Sequence, residues 1–220
     1  MRLMGMAAAS LLLCGCMSPL MKASADGRTD RVLALIDRGA DPNEFVRFNA
    51  FGHPLVFAAA LGHADVVRAL LEKGADPNAR GDLGSALHEA AAIGSADIVK
   101  LLLARRADVD SHPFCGATPL MYAVQRGHAE IVRMLLQAGA DPGVSATADC
   151  DSSVFTGAAV IPEGRTALAL AEEGGDAAIL ALLRPSPPAG DRSLPELLLR
   201  AVEKGAESAG AVEKAVRRLK

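Results

Sequence analysis

The chain has no tryptophan and one tyrosine; six phenylalanines complete its aromatic set among 220 residues. So few rings leave the core to aliphatic and small side chains, and a 50% hydrophobic content is enough to build one. The first apolar run, Leu3 to Leu13, is 11 residues long. A helix needs about 20 to cross a bilayer, so this run is too short to span one. Net charge is only −3, and no long basic run occurs. Without a Lys/Arg stripe interleaved with aromatics, nucleic acid is not an expected partner. A nucleophile elbow, a phosphate loop and a zinc signature are missing too. The chain is therefore read as no enzyme, with no catalytic residue, no cofactor and no metal.

What the chain does have is one phrase repeated. It reads Leu35-Ile36-Asp37-Arg38-Gly39-Ala40-Asp41-Pro42-Asn43, then Leu70-Leu71-Glu72-Lys73-Gly74-Ala75-Asp76-Pro77-Asn78. It returns as Leu102-Leu103-Ala104-Arg105-Arg106-Ala107-Asp108-Val109-Asp110 and as Leu135-Leu136-Gln137-Ala138-Gly139-Ala140-Asp141-Pro142. The steps from Gly39 to Gly74, Arg106 and Gly139 are 35, 32 and 33 residues. That period marks a stacked repeat, which is first a surface for binding. In each phrase two apolar residues close a helix, a Gly takes the left-handed cap, and Asp-Pro opens a turn. Arg106 stands where the others have Gly, so its cap is predicted to be strained.

A shorter helix precedes each phrase. Thr118-Pro119-Leu120 shows its start, with Thr as N-cap and Pro in the first turn. His53-Pro54-Leu55, Ser85-Ala86-Leu87-His88 and Thr166-Ala167-Leu168 take the same place. The small pairs Ala58-Ala59, Ala90-Ala91 and Ala123-Val124 follow, then the breaks Gly62-His63, Gly94-Ser95, Gly127-His128 and Gly175-Asp176. Gly27-Arg28 matches those breaks and places a first repeat near 19–43.

This pattern resembles the ankyrin repeat, with its Thr-Pro-Leu-His start, Gly-His break and Gly-Ala-Asp-x-Asn end. The resemblance covers about residues 19–184 and implies an all-α solenoid of about five helix-turn-helix repeats with short β-hairpin-like fingers. The expected boundaries are a signal segment at 1–15 and a repeat domain at 16–184. The repeats fall at about 19–43, 52–78, 84–110, 116–142 and 164–184. An insertion at 143–163 precedes the fifth, and a Pro-rich linker at 185–194 leads to a helical or partly disordered tail at 195–220. The family uses His63, His88 and His128 to hydrogen-bond neighbouring turns, so the resemblance implies a structural role for them. His53 and His112 lie in fingers and stay unassigned.

The N-terminus reads as a targeting segment: Arg2, a short apolar stretch, then Leu13-Cys14-Gly15-Cys16. Its end resembles a bacterial lipobox. That resemblance implies cleavage before Cys16, acylation of Cys16 and membrane attachment through the lipid. It also implies a place on the periplasmic side of the cell envelope, with Met17 favouring the outer membrane over the inner. An ordinary cleaved signal is the other reading, with Ala23-Ser24-Ala25 as its site; that cut would destroy the first short helix. In an oxidising compartment the remaining Cys115 and Cys150 are expected to form a disulfide.

The register also places the aromatics. Phe45, Phe48 and Phe51 lie in an enlarged second finger, Phe114 in the fourth, and Phe155 in the insertion. Phe57 and Tyr122 fall two residues after the opening Leu of their short helices, a variable position that faces the groove in ankyrin folds. All seven are predicted to lie outside the core and to be the partner-binding set. Phe51 and Phe114 are the ones most suited to a structural role. Leu61, Glu89, Ile93, Gln125 and Arg126 are secondary groove candidates. The expected function is a monomeric, lipid-anchored module that binds a protein of the envelope, as an accessory or immunity partner. A scaffold of an envelope complex and a secreted host-directed effector are the alternatives.

Overall fold

A computed structural model describes residues 17–46, 51–81, 84–112, 116–147 and 161–184. Outside them lie the signal segment with Cys16, Phe48, Phe114, Cys115, Cys150, Phe155, the linker and the tail. The chain divides between Leu183 and Arg184 into two units, and the fold described here is that of the first.

Its elements come in pairs. They are α1 (Pro19–Ala25) with α2 (Thr29–Asp37), and α3 (Pro54–Ala60) with α4 (Ala64–Glu72). A two-stranded hairpin, β1 (Arg80–Gly81) and β2 (Gly84–Ser85), then leads to α5 (Ala86–Ile93) with α6 (Ala96–Ala104). The last are α7 (Pro119–Gln125) with α8 (Ala129–Gln137), and α9 (Ala167–Gly174) with α10 (Ala177–Leu183). Each first helix packs on its own partner and on the first helix of the next pair; the second helices form a parallel row. This is the predicted all-α repeat solenoid.

The short helices begin where hydroxyl caps say they should. Met21 N–H donates to Ser18 Oγ at 2.9 Å and Ala169 N–H to Thr166 Oγ1 at 3.2 Å, with a longer 3.4 Å contact from Met121 N–H to Thr118 Oγ1. Each such bond satisfies one of the free N–H groups of a first turn. Ser18-Pro19-Leu20-Met21 thus opens the first repeat as Thr118-Pro119-Leu120-Met121 opens the fourth. His53 breaks the rule, since its side chain makes no cap bond to α3.

The aligned Leu55, Leu87 and Leu120 are fully buried, as are Ala58, Ala59, Ala90, Ala91 and Ala123 between the rows. Burying each leucine contributes roughly 2–3 kcal/mol, and the alanines let helix axes come close enough to bury it. At the fifth repeat, Leu168 is only half-buried.

Side-chain rungs tie the repeats together. On one edge, His63 Nε2 meets Ala25 O at 2.9 Å and His128 Nε2 meets Ala92 O at 3.2 Å. Each ring lies over a glycine, where a Cβ on Gly27 or Gly94 would come within 2.8 or 2.6 Å of it. Between those rungs Ser95 stands in the histidine's place, and the nearest atom to a Cβ on Gly62 is Ile93 Cδ1 at 3.5 Å. On the turn edge, Asn43 Oδ1 accepts from Asp76 N, Asn78 Oδ1 from Asp108 N, and Asp110 Oδ1 from Asp141 N, at 2.7, 2.8 and 3.0 Å. Arg106 adopts φ 59°, the one non-glycine in the left-handed region among the described residues, as its place in the phrase predicted.

The ends of the 143–163 insertion are built into the fold. Ser145 pairs with Thr166 in an antiparallel bridge, Ala146 N–H donates to Arg165 O at 2.9 Å, and Gly164 N–H donates to Ala146 O at 2.8 Å. Ala146 and Ile161 are buried. Residues 143–147 and 161–163 therefore act as the stem of a fifth finger.

Candidate functional site

The second finger is the most exposed apolar feature of the described residues. Its base is closed by Val46 N–H donating to Gly52 O at 2.8 Å. The Phe45 ring lies over Gly52, where a Cβ would come 2.7 Å from Phe45 Cε2 and 3.2 Å from Gly81 Cα, at a φ of 66° that favours glycine. The ring meets the His53 imidazole at a centroid distance of 5.2 Å and a tilt of 57°. Phe45 remains 55% exposed, the largest figure among the exposed large hydrophobics. Leu61, at the end of α3, is 37% exposed. Both sit where sequence placed partner-facing residues.

Three other rings do not lie where they were expected. Phe51, Phe57 and Tyr122 belong to the buried core of the described residues, with Phe57 2% and Tyr122 5% exposed. Phe51 and Phe57 stack at 4.7 Å with planes 18° apart, so the finger's inner ring is clamped onto α3. Tyr122 sets its ring edge-on to His88 at 5.8 Å and 84°. Their placement outside the core is therefore corrected: finger-to-helix stacking and the α5–α7 contact bury them. Glu89, a groove candidate, is likewise buried, while Ile93, Gln125 and Arg126 are half-buried. Phe48, Phe114 and Phe155 lie outside the described residues.

Beside this surface runs a buried polar node. Ser85 N–H donates to His88 Nδ1 at 3.1 Å, which leaves the ring proton on Nε2 to donate to Ala117 O at 3.1 Å. Ser85 Oγ lies 2.9 Å from His88 Nδ1 and 3.3 Å from Ser111 Oγ. Burial pushes the imidazole down to about 4, with the bonds to Ala117 and Ser111 opposing it. Burial pushes the adjacent Glu89 carboxyl up to about 7, against the pull of Arg126. A neutral, doubly hydrogen-bonded His88 is a brace between repeats rather than an acid or base, because both of its nitrogens are already used. His112 Nδ1 sits 2.9 Å from Asp110 O within its own turn. Among the described residues no group of three or more His, Cys, Asp or Glu could hold a metal ion, and no helix is long and apolar enough to cross a membrane.

Stacked helix pairs, side-chain rungs between them and fingers carrying an exposed ring define a repeat module for binding proteins. Two family models name the repeat: Ankyrin repeats (many copies) matches residues 55–103, and Ankyrin repeats (3 copies) matches residues 80–146. Residues 55–146 are thus ankyrin repeats, and repeats of this family imply a protein–protein interaction module. Neither matched family is one of enzymes. No curated protein matches the chain.

Proposed function

We propose that this chain is an exported, lipid-anchored ankyrin module that binds another protein of the bacterial cell envelope, as its accessory or immunity partner. The binding part rests on one observation, the 55% exposed Phe45 ring held out on the second finger by Gly52 and His53. Aromatic rings on a rigid support supply contact area at little entropic cost. Phe48, three residues further along the sequence, is a second partner-binding candidate and lies outside the described residues. The anchoring part rests on the Leu13-Cys14-Gly15-Cys16 pattern. Cys16 would carry the lipid, on the periplasmic side and in the outer membrane. The module would act as a monomer.

Two experiments test the two parts separately. The chain is used as bait in envelope extracts, with and without Phe45→Ala and Phe48→Ala together. A partner retained by the parent and lost by the double variant supports the finger surface. A partner retained equally by both places the interface elsewhere. For the anchor, Cys16→Ser should move the chain from the membrane fraction to the soluble one; a variant still sedimenting with membranes rules lipidation out.

A further inference from the structure

The two histidine rungs share one construction, and the step between them lacks it. His63 covers Gly27 and reaches Ala25 O, and His128 covers Gly94 and reaches Ala92 O. A carbonyl only accepts, so both rings donate through Nε2. The matching pair in the second repeat is Ala60 and Gly62, and Ser95 stands where the third histidine would. Serine does not replace it: among the described residues no group donates to Ala60 O. The last carbonyls of a helix have no partner within it, so Ala60 O is without the bond its counterparts have. The glycines record the same difference. Gly27 and Gly94 are half-buried beneath their rings, while Gly62 is exposed.

The borders of this gap are apolar. Leu61, between Ala60 and Gly62, is 37% exposed. Leaving aside chain neighbours, a Cβ on Gly62 would meet only Ile93 Cδ1 within 4 Å, at 3.5 Å. That methyl ends a flexible, half-buried side chain, and a change of rotamer clears the glycine. An open acceptor thus lies beside an uncovered glycine, with Leu61 on one side and Ile93 on the other.

We propose that this gap is a binding site for a tryptophan side chain of a partner protein, its indole N–H donating to Ala60 O and its ring lying over Gly62 between Leu61 and Ile93. The chemistry of the occupant is read from the flanking rungs, where a planar ring with an N–H fills the same place. The partial negative charge of a helix-end carbonyl complements that N–H. Indole meets the apolar borders better than imidazole, because it couples one donor to a larger apolar face. The chain has no tryptophan, so the ring comes from another protein and not from a second copy. The site uses neither Phe45 nor the anchor and stands or falls apart from both.

The probe is N-acetyltryptophanamide, titrated into the isotope-labelled full chain and followed through backbone amide shifts. Saturable shifts at Leu61, Gly62, Ile93 and Gly94 are expected, with a dissociation constant on the order of 1 mM for a single ring. The analogue methylated on the indole nitrogen keeps the ring and loses the N–H. It should bind about 5-fold more weakly, the weight of one hydrogen bond. Ser95→His supplies the missing ring from within the chain and should weaken the probe at least about 10-fold, because an intramolecular occupant outcompetes a free one. Leu61→Ser changes an exposed residue, leaves the fold intact and should weaken the probe about 3-fold. Phe45→Ala should leave the titration unchanged. Absence of saturable shifts at these amides overturns the proposal, as does equal binding of the methylated analogue. Undiminished binding to the Ser95→His chain, or loss of binding in Phe45→Ala, overturns it too.

Discussion

Asn43 holds two points of the next repeat at once: its Nδ2 donates to Gly74 O at 3.0 Å, and its Oδ1 accepts from Asp76 N at 2.7 Å. An asparagine is the one short side chain able to do both, and the first two copies of the phrase end on one. Each bond contributes about 1 kcal/mol net. Asn43→Ala should therefore cost about 1–2 kcal/mol in urea unfolding. Asn43→Asp keeps the acceptor and loses the donor, so its loss should be smaller. Equal losses for the two variants would mean the bond from Asp76 N contributes nothing, and no loss from Asn43→Asp would mean the same of the bond to Gly74.

Arg106 shows what the phrase costs when its glycine is missing. It takes φ 59°, where Gly39, Gly74 and Gly139 take 98°, 89° and 95°. A side chain in that region crowds the following carbonyl at about 1–2 kcal/mol. Glycine also gives up more freedom on folding, which offsets part of the relief. Arg106→Gly should raise stability by about 1 kcal/mol. Gly139→Arg is the reverse test, because a Cβ there meets nothing within 4 Å and only the backbone conformation is at stake. It should destabilise by a similar amount. A neutral result at both sites would mean the turn tolerates any residue.

Sequence made the helix endings legible because each residue there has a local backbone duty. Gly takes the left-handed cap, Asp accepts the N–H two residues on, and Asn reaches the next turn. The same local reading carries over to Ser18, whose Oγ does for α1 what Thr118 does for α7. Burial of the rings was legible only in part: Phe51 was singled out as structural, but Phe57 and Tyr122 were not. Phe45 and Phe51 are six residues apart in one finger, yet one faces out and the other stacks on Phe57. No periodicity distinguishes them, because their fates depend on contacts with α3 and with Gly52. Phe57 and Tyr122 occupy a position that varies between repeats, and variability says nothing about whether a given ring finds a neighbour to cover it. The stem of the insertion was missed for a related reason. A ladder only as long as Ser145–Ala146 against Arg165–Thr166 leaves no alternation to read.

The two kinds of ring should separate in stability measurements. Phe57 is buried and stacked on Phe51, so Phe57→Ala leaves a cavity and should cost about 3–5 kcal/mol. Phe45→Ala removes an exposed ring and should cost less than about 1 kcal/mol. Thermal or urea unfolding of the two variants decides it. A large loss from Phe45→Ala would make that ring a structural clamp on Gly52 and His53, and would remove the observation on which the binding surface rests.

Neighbours His88 and Glu89 should pull the stability of the fold in opposite directions with pH. Burial holds His88 near 4, below the ordinary 6.5, so the folded state resists a proton that the unfolded chain accepts. Its contribution is complete above pH 6.5 and is lost as the pH falls through 4. Burial holds Glu89 near 7, above the ordinary 4.5, so the folded state resists ionisation. Its contribution is complete below pH 4.5 and is lost as the pH rises through 7. Between pH 4.5 and 6.5 the two slopes oppose each other. Removing either residue should therefore expose the other. Glu89→Gln should be less stable at pH 5 than at pH 6.5, measured against the parent chain, by about 2 kcal/mol. His88→Gln should shift by about the same amount the other way, more stable at pH 5 than at pH 6.5. Loss of the bonds to Ser85 and Ala117 lowers the second variant at every pH, so the slope of its urea midpoint with pH is the quantity to read. Parallel profiles for parent and both variants would show that neither group is withheld from solvent as the fold requires.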